Sequence, residues 1–297
     1  MVEREERMKK KKISIFDVVV YAIAIFLLVI VLYPLILVIS NSVSDPTLVA
    51  KGEVLLLPKG INLDGYISIF ESKELMTGYA NTMYYTFLGT LINLVVTLPA
   101  GYVLSKPRVR GNKFFMGMFM VTMYFSGGLI PTFLLISNLG LYNSRWALLL
   151  PGAFSVYNCI VCRSFFAAIP KELEESAYID GCSVIRSFMQ IVMPLSKALL
   201  GVMVLYFAVD HWNSYFSAMI YIKDDVKMPL QVFLRRILVL AQSLSLGDDN
   251  DMAITYIERE ALLRYSTIVV SSLPLMIIYP FLQKFFDKGV LIGSVKG

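Results

Sequence analysis

Residues 18–39 read VVVYAIAIFLLVIVLYPLILVI, an apolar run without a single charged side chain. A hydrocarbon core of roughly 30 Å is crossed by about 20 helical residues, so this stretch alone is long enough to span a bilayer. Two more runs, 83–104 and 114–136, are equally free of charge. Three others are shorter or interrupted: 146–162 continues through Arg163 to Ala168, 198–222 carries Asp210 and the only histidine, His211, and 265–282 is again apolar. The reading is an all-α membrane protein with six transmembrane helices over about 16–40, 81–104, 113–136, 146–168, 198–222 and 265–286, in a single membrane domain covering 1–297.

Composition agrees. A soluble domain is about half apolar and a quarter charged; this chain is 57% hydrophobic and 16% charged, with a mean hydropathy of +0.67. The basic stretch Arg7 to Lys12 ahead of the first run has the look of a signal-peptide start. The apolar core behind it is too long, and no small-x-small cleavage pattern follows, so it reads as an uncleaved helix.

With the N-terminus placed in the cytoplasm, the inner segments hold 17 of the 27 basic residues, among them Lys9 to Lys12, Lys106, Arg108, Arg110, Lys171, Arg186 and Lys284. That bias predicts a multi-pass protein of a bacterial cytoplasmic membrane with both termini inside. The net charge of +5 then reflects topology and not a nucleic-acid partner.

The stretch from about 169 to 197, between the fourth and fifth spans, is too long for a minimal connection and is punctuated as a helical hairpin. Pro170 suits a first helical position, and Glu172, Glu174 and Glu175 place negative charge on the positive end of the helix dipole. Gly181 is placed for a left-handed stop, Ser183 for a second cap, and Pro194 to close the second helix. Leu173, Ala177 and Asp180 are expected on one side, as a small apolar stripe flanked by carboxylates. An amphipathic helix lying on anionic lipid favours Lys and Arg; this one offers four acids against Lys171. A basic, grooved protein partner fits it better than a membrane surface does.

The spacing Glu175, Ser176, Ala177, three residues, Gly181, nine residues, Ile191, Val192, Met193, Pro194 resembles the E-A-A, three, G, nine, I-x-L-P signature of the membrane subunits of ABC importers. Ser176 stands where the pattern has alanine, and Met193 where it has leucine. Phe125 to Pro131 (FSGGLIP), Trp212 to Tyr215 (WNSY) and the C-terminal Gly289 to Gly297 are similar to MalG-like carbohydrate-uptake permeases, and within them to the LplC/YtcP group linked to polysaccharides and oligosaccharides. The resemblance implies a type I ABC-importer permease fold whose cytoplasmic coupling helix sits in a cleft of an ABC ATPase dimer. Glu174, Glu175, Ser176, Ala177, Asp180, Gly181, Ile191 and Pro194 are then the coupling residues, and the tail Lys288 to Gly297 reaches the ATPase. It also implies a second permease subunit, completing a heterodimer, and an extracellular sugar-binding protein received by the outer segments 41–81 and 223–262.

No G-x-x-x-x-G-K-[ST] phosphate loop occurs; the nearest string, Gly111 to Phe114, lacks the spacing and the hydroxyl. The expected chain is a non-catalytic transport subunit that binds no cofactor itself, with ATP and Mg on the partner ATPase. Asp210 and His211 fall inside a predicted span, where ionisable groups are expensive and point to function. With Trp212, Asn213 and Tyr215 they offer stacking and hydrogen-bonding groups for a sugar. The competing reading ends the span early and leaves Asp210 in the interface. Tyr157 and Asn158 form a second, weaker patch. Pro34, Pro99, Pro131, Pro151, Pro274 and Pro280 interrupt five spans and serve as packing kinks or cavity-lining breaks. Cys159 and Cys162 have redox-like spacing but no accompanying ligands, which favours helix packing, and Cys182 reads as a free thiol. The main alternative, an ion-gradient-driven secondary transporter or channel, calls for inverted repeats and several buried acids; only Asp210 qualifies. An intramembrane enzyme would need a cluster of reactive groups that is not present.

Overall fold

The computed structural model describes residues 14–244, 263–281 and 283. Among these the chain is helical, with no strand. In order come α1 (Ile15–Ser42), α2 (Pro46–Ala50), α3 (Asp64–Glu71), α4 (Lys73–Ser105), α5 (Asn112–Tyr124), α6 (Leu129–Asn138), α7 (Trp146–Leu149), α8 (Val156–Ala167), α9 (Lys171–Ile179), α10 (Val184–Ser187), α11 (Met193–Leu195), α12 (Lys197–Asn213), α13 (Phe216–Tyr221) and α14 (Leu230–Leu244). The last is α15 (Leu263–Phe281). The described residues form two compact units, one from 14–67 together with 243–244 and 263–269, the other from 68–242 together with 270–281 and 283.

In the first unit, α1 starts at a capping box: Ser14 Oγ accepts from the backbone while Asp17 reaches back to the Ser14 N–H. Its most apolar stretch is exposed all round. A helix that is apolar on every side and has no protein cover is a lipid-facing span. Polar contacts begin only at its end, where Ser40 donates to Leu56 O and Ser42 shares a hydrogen bond with Tyr66, both at 2.7 Å.

The second unit is built around α4. At about 1.5 Å per residue its 33 residues extend for about 50 Å. Its inward face is lined with small or polar residues, among them Gly78, Thr82, Gly89, Asn93, Thr97 and Gly101. Small residues let helices approach closely in lipid, where burying apolar surface gives no drive to associate. At Gly101 a Cβ would lie 2.6 Å from Cys162 Cβ and 3.2 Å from the Arg163 nitrogen on α8. Cys159 and Cys162 are thus packing residues, both buried.

Three helices, α1, α4 and α15, are long and apolar enough to cross a membrane, and five spans result among the described residues if each bent pair counts as one. The third expected span is the pair α5 and α6, bent by 112°. Gly128 turns the chain there with φ +89° and ψ 173°, a region held essentially by glycine alone, where a side-chain-bearing residue would cost about 1–3 kcal/mol. The FSGGLIP segment is therefore a break. The fourth expected span is divided as well: α7 ends at Leu149, the chain turns through Pro151, and α8 starts just after Ser155, whose Oγ accepts from the Asn158 N–H. The fifth stops at Asn213, and α13 follows after Ser214 and Tyr215. Pro34 and Pro99 lie within unbroken helices.

A Gly101→Val substitution should separate α4 from α8. The overlap is with backbone as well as side chain, so a loss of about 1–3 kcal/mol should appear as a lower unfolding temperature in detergent, while Gly117→Ala, in open space, should leave that temperature unchanged.

Candidate functional site

At one end of α4 lies the acidic hairpin. Pro170 is the residue just before α9, one position earlier than the sequence suggests, and Lys171 begins the helix. Its stop is a Schellman motif: Cys182 N–H donates to Ala177 O at 2.9 Å and Gly181 N–H to Tyr178 O at 3.1 Å, with Gly181 at φ +78°. Ser183 Oγ caps α10 by accepting from Arg186 N–H. Pro194 does not end the second helix. It has no N–H to give to Gln190 O, and the chain adopts a wider π turn over Phe188–Val192 that carries helix on to Leu195. The path then bends by 86° into α12.

The acids of α9 divide into two kinds. Glu174 is buried: Tyr102 Oη donates to its Oε2 at 2.9 Å, and Lys106 pairs with its Oε1. Glu175, Ser176 and Asp180 are exposed. Ala177 is buried, whereas Leu173, expected beside it, is 42% exposed, so the predicted stripe does not form. Beneath the hairpin, Phe188 and Val192 join Leu98 and Tyr102 of α4, Phe166 of α8 and Met203 of α12 in one core. The Phe188 and Tyr102 rings lie 4.8 Å apart. Ile191 is half-buried and Pro194 exposed. Sequence reasoning missed the exposed apolar set Ile179, Val184, Ile185 and Met189; four large apolar residues clustered about Gly181 were its signal.

The other end of α4, about 30 Å away from Tyr102 to Asn81, is polar again. Asn81 Nδ2 donates to Val226 O and Met228 O, and Tyr85 Oη to Lys227 O. Asn143 receives the Lys223 and Asp224 N–H groups and donates to the Asp224 carboxylate. Hydrogen bonds from Lys227 and from Asn143 hold the Asp224 carboxyl below its ordinary value. A depressed acid contributes above its unfolded pKa, so this clasp is charged at neutral pH and loosens only as pH falls through the depressed value.

Between these ends, the residues expected on the sugar path part company. Asp210 and His211 lie in the last turn of α12, not mid-span, because the helix stops at Asn213. Asn93 Nδ2 donates to Gly152 O at 2.6 Å, so its Oδ1 accepts from His211 Nε2 at 2.7 Å. Gly89 makes room: a Cβ there would overlap the imidazole. Trp212 is buried, donating to Ser271 O at 2.9 Å with Tyr79 edge-on to its ring. Asn158 is buried too. Asp210, Asn213 and Tyr157 are exposed, and Tyr215 half-exposed. Tyr206, one turn before Asp210, shares their exposed face and was missed; its i, i+4, i+7 spacing with Asp210 and Asn213 was legible. No group of three or more His, Cys, Asp or Glu side chains among the described residues is placed to hold a metal. The C-terminal tail from Lys288 lies outside the described residues.

Residues 75–292 match the family model for the binding-protein-dependent transport system inner membrane component. The chain belongs to that family. The permease is 37% identical over 286 residues to the polygalacturonan/rhamnogalacturonan transport system permease protein YtcP of Bacillus subtilis, covering 96% of this chain and 100% of that one. It is 38% identical over 268 residues to LplC of the same organism, covering 90% of each. Among solved structures it resembles a chain of a bacterial ABC transporter involved in the import of the acidic polysaccharide alginate: 34% identity, a TM-score of 0.83, and coverage of 93% of the permease and 98% of that chain.

Removing the Glu174 carboxylate should loosen the hairpin. Glu174→Ala strands the Tyr102 hydroxyl and Lys106 and should cost about 2 kcal/mol, read as faster protease cleavage near Gly181. Glu175→Ala, on the exposed side of the same helix, should leave cleavage unchanged.

Proposed function

We propose that this permease is the membrane subunit of an ATP-driven importer of oligosaccharides or polysaccharide fragments, forming half of the translocation path beside a second permease subunit. The names of YtcP and of the alginate importer support the substrate class. In this reading the chain crosses the inner membrane six times over the boundaries expected from sequence, as one domain with both termini in the cytoplasm. The acidic hairpin docks on an ABC ATPase dimer that holds ATP and Mg, and the opposite end receives an extracellular sugar-binding protein.

One observation carries the coupling claim. The inner face of α9 is tied to α4 through Glu174, while Glu175 and Ser176 are exposed on its outer face. A partner that moves the outer face must move α4, α8 and α12 with it, because Phe188 and Val192 belong to their shared core. Rigid-body motion of this kind suits alternating access. Asp210, Asn213, Tyr215 and Tyr157, joined by Tyr206, are offered to the sugar path; His211, Trp212 and Asn158 hold the frame behind them. A gradient-driven carrier calls for several buried acids, whereas Asp210, the acid of the fifth expected span, is exposed in the last turn of α12.

The test is Gly181→Val. Nothing lies within 4 Å of a Cβ there, so the damage comes from forcing a β-branched residue to φ +78°, about 1–2 kcal/mol of strain. Expected are normal membrane insertion, loss of the ATPase on copurification and loss of uptake, with Gly181→Asn milder. Unchanged uptake in Gly181→Val would overturn the docking role.

A further inference from the structure

The end of α4 away from the acidic hairpin carries an open cavity of about 510 Å³, lined by Met219, Met228, Val232, Arg235, Arg236 and Val239. That is within the range of sites for small molecules, about 300–1,000 Å³. Its two arginines are neighbours on α14 but differ in what holds them. Arg236 is committed: Nη2 donates to Asp225 Oδ1 at 2.9 Å and contacts Met228 Sδ at 3.1 Å. Arg235 is exposed and has no carboxylate partner among the described residues. Its guanidinium lies over the Tyr215 ring, 4.9 Å from the centroid.

We propose that Arg235 and Tyr215 form a subsite for the carboxylate of an acidic sugar, a uronate, with the apolar wall of this cavity beside it. The inference rests on the import reading above and narrows its substrate class. A guanidinium stacked on a ring keeps its in-plane N–H donors free, and that planar fork matches a carboxylate two-to-two. The buried Val232 and the half-exposed Met219 and Val239 make one side of the subsite apolar, and a charge pair against an apolar wall is screened less than one in open water. The ring of Tyr215, which has Phe216 edge-on at 6.5 Å, offers an aromatic surface to a pyranose. A neutral sugar would offer these donors no charge to pair with.

The measurement is calorimetric binding of trigalacturonate, and of its fully methyl-esterified neutral form, to the purified complex of both permease subunits with the ATPase, without the binding protein. The native complex should bind the acid at least about tenfold more tightly than the ester. Arg235→Gln should erase that preference, Arg235→Lys should keep part of it because charge survives without the fork, and Tyr215→Leu should weaken both sugars. Equal binding of acid and ester by the native complex, binding of neither, or an Arg235→Gln complex as selective as the native one would overturn the subsite. So would reduced uptake by Arg235→Gln with sugar binding unaltered, since the arginine would then serve docking of the binding protein. A native complex that imports a neutral oligosaccharide but binds no uronate overturns the subsite and leaves the import function standing; one that imports no sugar while its ATPase is active removes both.

Discussion

A carboxylate buried at the end of a membrane helix has to be paired, and the pairing of Glu174 organises this molecule. Taking an ionised acid out of water costs several kcal/mol unless charge and hydrogen bonds replace the solvent. Tyr102 in the last turn of α4 and Lys106, the residue that follows the helix, supply both. That requirement sets which face of α9 looks inward. It consequently sets which face, with Glu175 and Ser176, looks out. The Schellman stop at Gly181 then returns the chain so that Phe188 and Val192 close over Tyr102 and Phe166.

Along α4 a different constraint operates. Helices in lipid gain nothing by hiding apolar surface from one another, so close approach and polar ties hold them. Gly101 admits Cys162, and Gly89 admits His211. The His211, Asn93, Gly152 chain joins α12 and α4 to the turn between α7 and α8. Since Gly152 belongs to a break in helix, this tie spans a place where irregular backbone needs protein partners at depth. The His211 imidazole is thus held in the frame, while its neighbour Asp210 is exposed.

The membrane class was legible because length and apolarity are local properties: 18–39 and 83–104 are helical throughout in α1 and α4. The hairpin was legible for the same reason, since Ser183 and Gly181 act on backbone within four residues of themselves. Expectations that needed a neighbour fared differently. Nothing in the string Glu172, Glu174, Glu175 says which acid is paired, because Lys106 and Tyr102 lie about 70 residues earlier in the chain. The continuity of the third apolar run was overstated, because apolar composition persists through Gly128 while the helix axis does not; in the fifth, the polar stretch Asp210 to Ser214 marks where the helix ends, as the competing reading had it.

By itself, the sequence determined the helical membrane character, the acidic helix, turn, helix, and the family spacing from Glu175 to Pro194. All of these depend on interactions within a few residues or on the solvent the chain prefers. Only the tertiary structure decided that Glu174 and not Glu175 is the inward acid, that Trp212 and His211 brace the frame while Asp210 and Asn213 are exposed, and that Arg235 meets Tyr215. Each of these is set by which helix faces pack together, a choice made by steric fit at Gly89 and Gly101 and by pairing of buried polar groups across helices distant in sequence.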